Sequence, residues 1–385
     1  MGSTAIAFLS GKGGSGKTTL ALSIADLLCR CDVRVLLIDC DLSTNGATYF
    51  YESKLADWSQ NKKSGLYSFS ELLNVEHFEN VEPLKIKPNL DFIPSIAGIS
   101  EQYLEEKVVL QNNGKTMQLH EFLDWARYNY DVVLFDCQAG YTELLSTLLP
   151  MMDIDLFVLE ADSISASSMR SLHLKIGKVF GHARLYQVFN KATQEEFEIY
   201  SKIVGTFFTN IGTLLFDWKI RQAFSRSQIP DLENISAQYG SDLCSVCKII
   251  LFDNAIQKKL ERFSEKLRLQ KLKEEHKKVE NQLHKLAPKY QTRYMFLTSI
   301  IVFFSIIIFI VAQDLIVLQK AIGGIIYSAI LLTILIVCIV MLATSGIRDN
   351  RERRRKYEKE LREIDKEIEK IKRLQKEQTS KQLDK

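Results

Sequence analysis

The sequence lacks a strong excess of charge of either sign, because 50 Lys and Arg residues face 47 Asp and Glu residues and the net charge is only +3. A balance this close does not by itself favour a nucleic-acid partner. The chain also lacks a disulfide framework, since its seven cysteines are scattered and odd in number, which suits a reducing compartment. With 46% hydrophobic and 25% charged residues, the composition excludes intrinsic disorder and collagen-like repeats. A folded protein remains, and its 385 residues permit two or three domains.

Charge is missing from two long stretches in the last third of the chain. Residues 295–312 and 321–343 contain no Asp, Glu, Lys, Arg or His, and run for 18 and 23 residues. Each is long enough to cross a hydrocarbon core of about 30 Å, and eight residues connect them, which predicts a hairpin of two transmembrane helices. A proton relay or ion pathway normally needs an ionisable residue within the membrane. Transport through this hairpin alone is therefore not expected.

Basic residues lie on both sides of this hairpin. They are Lys285, Lys289 and Arg293 before it, and Arg348, Arg351, Arg353, Arg354, Arg355 and Lys356 after it. By the positive-inside rule both flanks are predicted to be cytoplasmic, at the inner membrane of a bacterium, with the N- and C-termini in the cytoplasm. Topology and contact with anionic membrane lipid explain the basic cluster. Nucleic acid is not an expected partner.

The segments flanking the hairpin repeat by three and four residues. The seam positions are Leu269, Leu272, His276, Val279, Leu283 and Leu286 before the hairpin, and Tyr357, Leu361, Ile364, Ile368 and Ile371 after it. This spacing, with charged residues on the other faces, is typical of a coiled coil. It predicts a stalk helix over 254–287 and a C-terminal helix over 348–385, packed antiparallel, with Pro288 at the join to the membrane. The alternative is a solvated charged tail.

A glycine-rich loop follows the first apolar run of the chain. Ala5–Leu9 has no basic segment before it, so it reads as a buried strand and not as a secretory signal. The next residues, 11–19, fit the phosphate-loop pattern G-x-x-x-x-G-K-[ST] and precede a helical run. In such a loop the backbone N–H groups face phosphate oxygens, the lysine reaches the β and γ phosphates, and the hydroxyl after it binds Mg²⁺. The predicted nucleotide-binding residues are Gly13, Gly14, Ser15, Gly16, Lys17, Thr18 and Thr19, with Thr18 as a Mg²⁺ ligand.

A second lysine, Lys12, gives the loop the form K-G-G-x-G-K-T-T. In this form the sequence resembles the deviant phosphate-loop ATPases of the MinD/ParA family. The resemblance implies a homodimer that sandwiches two nucleotides, in which Lys12 of one protomer reaches the phosphates of the other. The alternative is a solvated loop lysine without a contact across the dimer.

Two more segments follow in the order expected for that family. The strand around Val33–Asp39 leads into Asp41 and Asn45, in a segment that resembles switch I and implies that Asp41 positions the attacking water, with Asn45 nearby. The run Tyr130–Asp136 reads as a strand buried on both faces and ending in a carboxylate. Asp136 is expected to hold Mg²⁺ through a water molecule, as a Walker B aspartate does.

The nucleotide base is expected to meet Asn190. The segment Asn190–Thr193 reads N-K-A-T, which is close to the N-K-x-D element of guanine-binding proteins. Thr193 lacks the carboxylate that would accept hydrogen bonds from guanine, so adenine is favoured and the expected cofactors are ATP and Mg²⁺. Asn190 contacts the base edge by resemblance to the family, and a turn-closing role is the alternative.

Strands and helical patterns alternate over residues 1–250, which the resemblance identifies as the ATPase domain. This order predicts an α/β fold with a doubly wound, mostly parallel sheet and the ligand at the carboxyl ends of the strands. Cys244 and Cys247 form a C-x-x-C pair near its end. Two copies of the pair would complete a zinc site across a dimer, but buried core packing explains the pair as well.

The expected function is a membrane-anchored, dimerising ATPase that switches its assembly or its binding of a cytoplasmic or membrane protein partner. One alternative is a membrane scaffold or sensor, for example in phage defence, with a slow nucleotide switch that recruits an effector. A bacterial tyrosine kinase is disfavoured, because such kinases place the hairpin before the catalytic domain and end in a tyrosine cluster. Here Tyr357 is the only tyrosine after Arg348.

Overall fold

The computed structural model describes residues 2–55, 67–73, 75, 77–96, 115–177, 183–204, 208–229, 237–317 and 351–375. The chain forms two compact units, Met1–Arg268 and Leu269–Lys385. The first unit therefore extends past residue 250, where the sequence pattern places the end of the ATPase domain.

The described part of the first unit contains one eight-stranded sheet. The strands are β1 Thr4–Leu9, β2 Val35–Cys40, β3 Leu84–Lys87, β4 Leu90–Ile93, β5 Val132–Cys137, β6 Ile154–Leu159, β7 Arg184–Ala192 and β8 Thr209–Leu215. Their order in the sheet is β3-β4-β2-β5-β1-β6-β7-β8, and all neighbouring strands run parallel except β3 and β4. The predicted α/β fold with a mostly parallel sheet is confirmed.

Helices connect these strands and cover both faces of the sheet. They are α1 Lys17–Arg30, α2 Gly46–Phe50, α3 Phe69–Leu72, α4 Lys115–Asn129, α5 Glu143–Leu148, α6 Ser163–Ile176, α7 Gln194–Val204, α8 Trp218–Phe224 and α9 Ala237–Ile250. A 3₁₀ turn, Leu149–Met151, follows α5. The longest helix, α10, spans Asn254–Val317, and a further helix, α11, spans 351–375.

The central strands are mostly apolar because both of their faces are covered. Every residue of β2, β5 and β6 is buried. One face packs on α1 and α9, and the other packs on α4, α5 and α6. Burying a single Leu or Phe side chain contributes about 1.5–3 kcal/mol. This two-sided burial holds the carboxyl ends of β1, β2, β5 and β6 at fixed positions along one edge of the sheet.

The first turns of α10 also belong to the core of the first unit. Ile256, Leu260, Phe263 and Leu267 are buried in the same cluster as α1 and α9. Their spacing by three and four residues places them on one face of the helix. The predicted stalk helix thus begins as part of the ATPase core, which moves the boundary of the first unit to Arg268.

The two outer strands of the sheet are irregular. β3 pairs with β4 with a register shift between Lys85 and Lys87, and Lys85 is exposed. β8 pairs with β7 with two register shifts, and Gly212 in β8 has φ of 128°. Such shifts interrupt the regular ladder of backbone hydrogen bonds.

In the second unit, residues of α10 and α11 share one apolar cluster. Its buried members are Leu272, Val279, Ile364 and Ile371, with Leu269, Tyr357, Leu361 and Ile368 packed against them. His276 Nε2 lies 3.3 Å from Asp365 Oδ1 beside this cluster. The packing agrees with the predicted coiled-coil pairing of the two flanking helices.

Among the described residues, no helix combines the length and the apolar character needed to cross a membrane. The first predicted span, 295–312, lies on the backbone of α10, but nearly all of its side chains are outside the described residues. The second span, 321–343, is entirely outside them. The predicted hairpin is not supported by the structure and stays a prediction.

Candidate functional site

The glycine-rich loop connects β1 to α1 at the carboxyl edge of the sheet. Gly14 and Gly16 have φ of 83° and 84°, in the left-handed region that favours glycine. A Cβ on Gly16 would lie 2.3 Å from Nδ2 of Asn190, and one on Gly11 would lie 2.6 Å from the backbone of Ser168. Neither distance is tolerable, so these positions require glycine. The loop is held in a curled shape by its own sequence and by the strands and helices around it.

Lys17 and Asp136 meet at the centre of this edge. Nζ of Lys17 lies 3.0 Å from Oδ1 of Asp136, and both side chains are almost completely buried. Burial alone would lower the pKa of Lys17, but the carboxylate of Asp136 outweighs it and raises the pKa above its ordinary value. Lys17 therefore stays positively charged. Its partner Asp136 lies at the end of β5, the strand that neighbours β1.

The second oxygen of Asp136 fits the predicted magnesium site. Oδ2 is buried and has no hydrogen-bond partner among the described residues. An orphaned buried carboxylate oxygen is costly unless it meets a cation or a donor. The hydroxyl group of Thr18 lies close to the backbone of Gly46 in switch I, since a Cβ placed on Gly46 would be 3.3 Å from the hydroxyl oxygen. Hydroxyl and carboxylate oxygens are the ligands that Mg²⁺ prefers, so the chemistry of these two side chains suits a Mg²⁺ ion.

Asp39 lies beside Asp136 on the neighbouring strand, because the two residues are paired in the register of β2 and β5. It is buried and accepts hydrogen bonds from the Thr48 backbone N–H (2.8 Å) and hydroxyl (2.7 Å), and from the Asp41 N–H (3.0 Å). Burial, and then the negative charge of Asp136, raise its pKa. Asp39 thus anchors switch I to the sheet.

Asp41 closes a tight turn in switch I. Its carboxylate accepts hydrogen bonds from the N–H and hydroxyl groups of Ser43 and Thr44, at 2.6 to 3.2 Å. Burial alone would raise its pKa, but the bonds from Thr44 and Ser43 hold the pKa below its ordinary value. Asp41 is therefore a carboxylate whose oxygens are already engaged. Orienting a water molecule for attack then depends on the acceptor sites that this turn leaves unused, or on an opening of the turn.

Asn45 follows in the left-handed region, with φ of 51°. Its Oδ1 accepts a hydrogen bond of 2.6 Å from the Ser95 hydroxyl, and Ser95 also contacts Thr48. Ser95 lies just after β4. Switch I is therefore tied to the end of β4, and the structure places Asn45 close to the loop through Gly46 and Thr18.

Lys12 is paired within its own chain. Its Nζ lies 3.0 Å from Oε2 of Glu160 and 3.0 Å from Oδ2 of Asp162, just after β6. Burial opposes the charge, but the bonds to Asp162 and Glu160 raise the pKa of Lys12. About a quarter of the side chain remains exposed, at 27%. The contact across a dimer and its alternative, a loop lysine without such a contact, both stay predictions, and a contact across a dimer would first have to break these two pairs.

Asn190 reaches the loop from the end of β7. Its Nδ2 donates to the carbonyl oxygens of Ser15 (2.9 Å) and Gly16 (3.5 Å), and the side chain is buried. The adenine contact stays a prediction, and only Oδ1 is left for it. The neighbouring Lys191, which the sequence pattern did not single out, also contacts the loop.

The cysteine pair is buried in the core. Cys244 and Cys247 lie on α9 among the residues packed against α1, and burial raises the pKa of the Cys244 thiol to about 12. No group of three or more His, Cys, Asp or Glu side chains in the described part of the chain is placed to hold a metal ion. The geometry agrees with the core-packing alternative.

Several residues of this edge escaped the sequence patterns. Thr48 and Ser95 bridge switch I to β4, while Glu160, Asp162 and Lys191 surround the loop from β6 and β7. Polar residues directly after an apolar strand are the signal that marks them, since these positions converge at one edge of a parallel sheet. That signal is present after β6, where Glu160 and Asp162 follow five apolar residues and one aspartate.

Known proteins match this chain over its N-terminal part. A family profile for the AAA domain, AAA_31, matches residues 3–186. The chromosome partitioning protein ParA of Caulobacter vibrioides is 28% identical over 178 residues, which are 46% of this chain and 63% of that protein. The cell division protein PomZ of Myxococcus xanthus is 32% identical over 166 residues, 43% of this chain and 49% of PomZ. The chain thus spans about half to two thirds of the length of these relatives.

Solved structures share the fold. The septum site-determining protein MinD from Pyrococcus horikoshii, complexed with Mg-ADP, matches with a TM-score of 0.51 at 17% identity, over 67% of this chain and 98% of MinD. A variant of McdA from Cyanothece, in complex with ATP, matches with a TM-score of 0.51 at 19% identity, over 64% of this chain and 95% of McdA. At these identities the solved structures show the fold alone, and the sequence matches show what this chain is similar to over less than half of its length.

Proposed function

We propose that this protein is a membrane-anchored, dimerising ATPase that uses ATP binding and hydrolysis to switch its assembly or its binding of a protein partner at the inner face of a bacterial membrane. The observation that carries the proposal is the contact of Lys17 with Asp136, 3.0 Å apart and buried where the phosphate loop meets the end of β5. A charged lysine without a counter-ion is costly in such a place. A phosphate group would supply that counter-charge once Asp136 turns to a metal ion.

ATP binding is assigned to the loop. Its backbone curls at Gly14 and Gly16, and α1 begins at Lys17, so the N–H groups of the loop and the first turn of α1 are available to phosphate oxygens. Lys17 then moves its ion pair from Asp136 to the β and γ phosphates. Thr18 and Asp136 would hold Mg²⁺, which supplies charge neutralisation on the phosphates when bound. We assign to Asp136 a contact with the ion through a water molecule, because Asp136 lies on β5, one strand away from the β1 strand that leads into the loop.

Hydrolysis is assigned to a change of shape in switch I. Asp41 spends its carboxylate on the turn to Ser43 and Thr44. We infer that closure of the dimer opens this turn and frees Asp41 to orient a water molecule toward the terminal phosphate, with Asn45 beside it. The bonds of Asp39 to Thr48 keep the base of switch I fixed while the turn moves.

Dimer closure is assigned to Lys12. Leaving Glu160 and Asp162 costs two charge-assisted contacts, each worth up to about 1 kcal/mol at positions this exposed to solvent. Phosphates of the partner's nucleotide offer Lys12 comparable contacts, so the exchange becomes favourable only when nucleotide is bound. This makes closure dependent on nucleotide.

The uncharged runs 295–312 and 321–343 supply the anchor. An anchor with two spans does not release from the bilayer, so the nucleotide state must control assembly or partner binding and not residence at the membrane. The partner is a cytoplasmic or membrane protein, and the coiled-coil helices are its proposed contact. Membrane lipid surrounds the spans.

The test measures closure directly in the full chain, reconstituted in lipid. A spin label on Leu174→Cys, an exposed position of α6, reports the distance between two ATPase domains. Its labelling is selective within the described residues, because their native cysteines are buried. With a non-hydrolysable ATP analogue the distance should shorten in this variant. It should stay long when Lys12→Ala is added, although each protomer still binds the analogue. Equal shortening in both proteins would overturn the role of Lys12, and no shortening in either would overturn nucleotide-driven closure.

A further inference from the structure

Lys191 occupies a strained position beside the phosphate loop. It lies at the end of β7 with φ of 57°, a left-handed conformation that is unusual for a residue with a side chain. Such strain persists only where the surroundings fix it. Here the surroundings are the carbonyl oxygen of Gly14, which accepts a hydrogen bond from Nζ, and the carboxylate of Glu160, 3.0 Å from Nζ.

The loop needs donors on its outer side. When successive N–H groups of a loop point inward to phosphates, the carbonyl groups are left to find partners elsewhere. Lys191 donates a hydrogen bond to the carbonyl oxygen of Gly14, and Asn190 donates to the carbonyl oxygens of Ser15 and Gly16. Three consecutive carbonyls of the loop are thus held by two consecutive residues of β7.

The fit around Gly16 makes this contact specific. A Cβ at Gly16 would lie 2.3 Å from Nδ2 of Asn190 and 3.2 Å from Cε of Lys191. The two side chains therefore pass directly over the glycine, where they touch the backbone of the loop.

Glu160 links Lys191 to Lys12. Its Oε1 lies 3.0 Å from Nζ of Lys191 and its Oε2 lies 3.0 Å from Nζ of Lys12. Asp162 provides Lys12 with a second partner. One carboxylate thus binds a lysine that pins the loop and a lysine that belongs to the loop.

We propose that Lys191 is a positioning residue that fixes Gly14 in the phosphate-accepting shape of the loop, and that Glu160 keeps the Lys191 side chain in that place. This inference rests on the proposed nucleotide binding and extends it, since it assigns to the end of β7 the support of the phosphate site in addition to the predicted contact with the base. Lys191 does not touch the phosphates in this role. Its contribution reaches them through the backbone of Gly14.

The experiment compares Lys191→Met with the conservative Lys191→Arg in the full chain, using calorimetric titration with Mg-ATP and Mg-ADP. Lys202→Met, at an exposed position of α7, is the matched control for the loss of one positive charge. Because a charge-assisted hydrogen bond to the loop is lost, Lys191→Met should bind both nucleotides about tenfold more weakly. Lys191→Arg should restore most of the affinity, and Lys202→Met should bind as the unaltered protein does.

The ratio of the two losses separates positioning from direct contact. Misplacing the loop weakens ATP and ADP by the same factor, whereas a lysine that binds the γ-phosphate weakens ATP alone. A loss confined to ATP, or an unchanged affinity for both nucleotides in Lys191→Met, would overturn the proposal. A lower melting temperature with unchanged affinity would do so as well, because it would show a role in stability only.

Lys17→Ala keeps this test distinct from that of the proposed function. If Lys17→Ala loses nucleotide binding while Lys191→Met retains it, the positioning role fails and the phosphate site stands. If Lys17→Ala binds nucleotide normally, the phosphate site itself is refuted.

Discussion

Asp155 tests whether a buried carboxyl group in the sheet makes the free energy of unfolding depend on pH. It lies on β6 between Ala7 of β1 and Leu185 of β7, is completely buried, and neither of its carboxylate oxygens has a hydrogen-bond partner among the described residues. Burial raises the pKa of this carboxyl from 3.8 to about 8. Since a buried carboxylate is costly, the folded protein keeps the proton that the unfolded chain releases.

The sign of the pH dependence follows from this difference. The unfolded chain loses its proton above pH 3.8, while the folded protein binds it until about pH 8. The folded state therefore holds more protons in between, and the free energy of unfolding falls as the pH rises through that window. At about 1.36 kcal/mol for each pH unit, the loss from pH 4 to pH 7 amounts to about 4 kcal/mol.

Asp155→Asn should remove this dependence, because the amide has nearly the shape of the protonated acid and does not titrate. Relative to the unaltered protein, the variant should gain about 4 kcal/mol of stability between pH 4 and pH 7. Urea unfolding followed by tryptophan fluorescence measures it, since all three tryptophans lie in the first unit. Asp124→Asn, on an exposed position of α4, is the control and should show no such trend. Parallel stability curves for Asp155→Asn and the unaltered protein would refute the reasoning.

Three further predictions concern the metal site, the membrane and the helices. Asp136→Asn should retain nucleotide binding, measured by calorimetry. Its Mg²⁺-dependent phosphate release should fall by about two orders of magnitude, as expected when a group that stabilises transition-state charge is removed. Full turnover in this variant would place the metal carboxylate elsewhere. A cysteine at Gln319 should react with a membrane-impermeant thiol reagent added outside intact cells, whereas one at Lys376 should not, and the reverse pattern would contradict the topology. Ile371→Asp places a carboxylate in the cluster between α10 and α11, so amide hydrogen exchange across 351–375 should speed up at least about tenfold. Lys370→Asp, at the exposed neighbouring position, should leave it unchanged.

The central part of the fold was accessible from the sequence because it depends on strong local signals. The apolar run ending in Asp39 predicted a buried strand, and the run ending in Asp136 predicted a strand buried on both faces. Both are central strands of the sheet. The loop glycines predicted a tight turn, and Gly14 and Gly16 adopt the left-handed φ that such a turn needs. In these cases the residues that determine the local structure lie within one short segment of the sequence.

The remaining features depend on contacts between distant segments. Lys12 meets Glu160 and Asp162 across about 150 residues of sequence, and Lys191 meets Gly14 across 177. No local pattern reports such a pairing, since it exists only when parallel strands bring their ends together. The boundary of the first unit is similar, because heptad spacing predicts a stalk but does not distinguish turns that pack on an adjacent domain from turns that pack on a partner helix.

The irregular outer strands of the sheet bear on aggregation, because they reduce strand pairing between neighbouring copies of this protein. A regular, unprotected outer strand invites a strand from a neighbouring molecule, and proteins confined at high local concentration are the most exposed to that hazard. The register shift and the exposed Lys85 in β3, and the two shifts in the pairing of β8 with β7, disrupt the template at both sides of the sheet. Growth by strand addition, which would be irreversible, is thereby discouraged. The proposed association through the loops at the carboxyl edge differs, because it would form when nucleotide binds and end when nucleotide leaves.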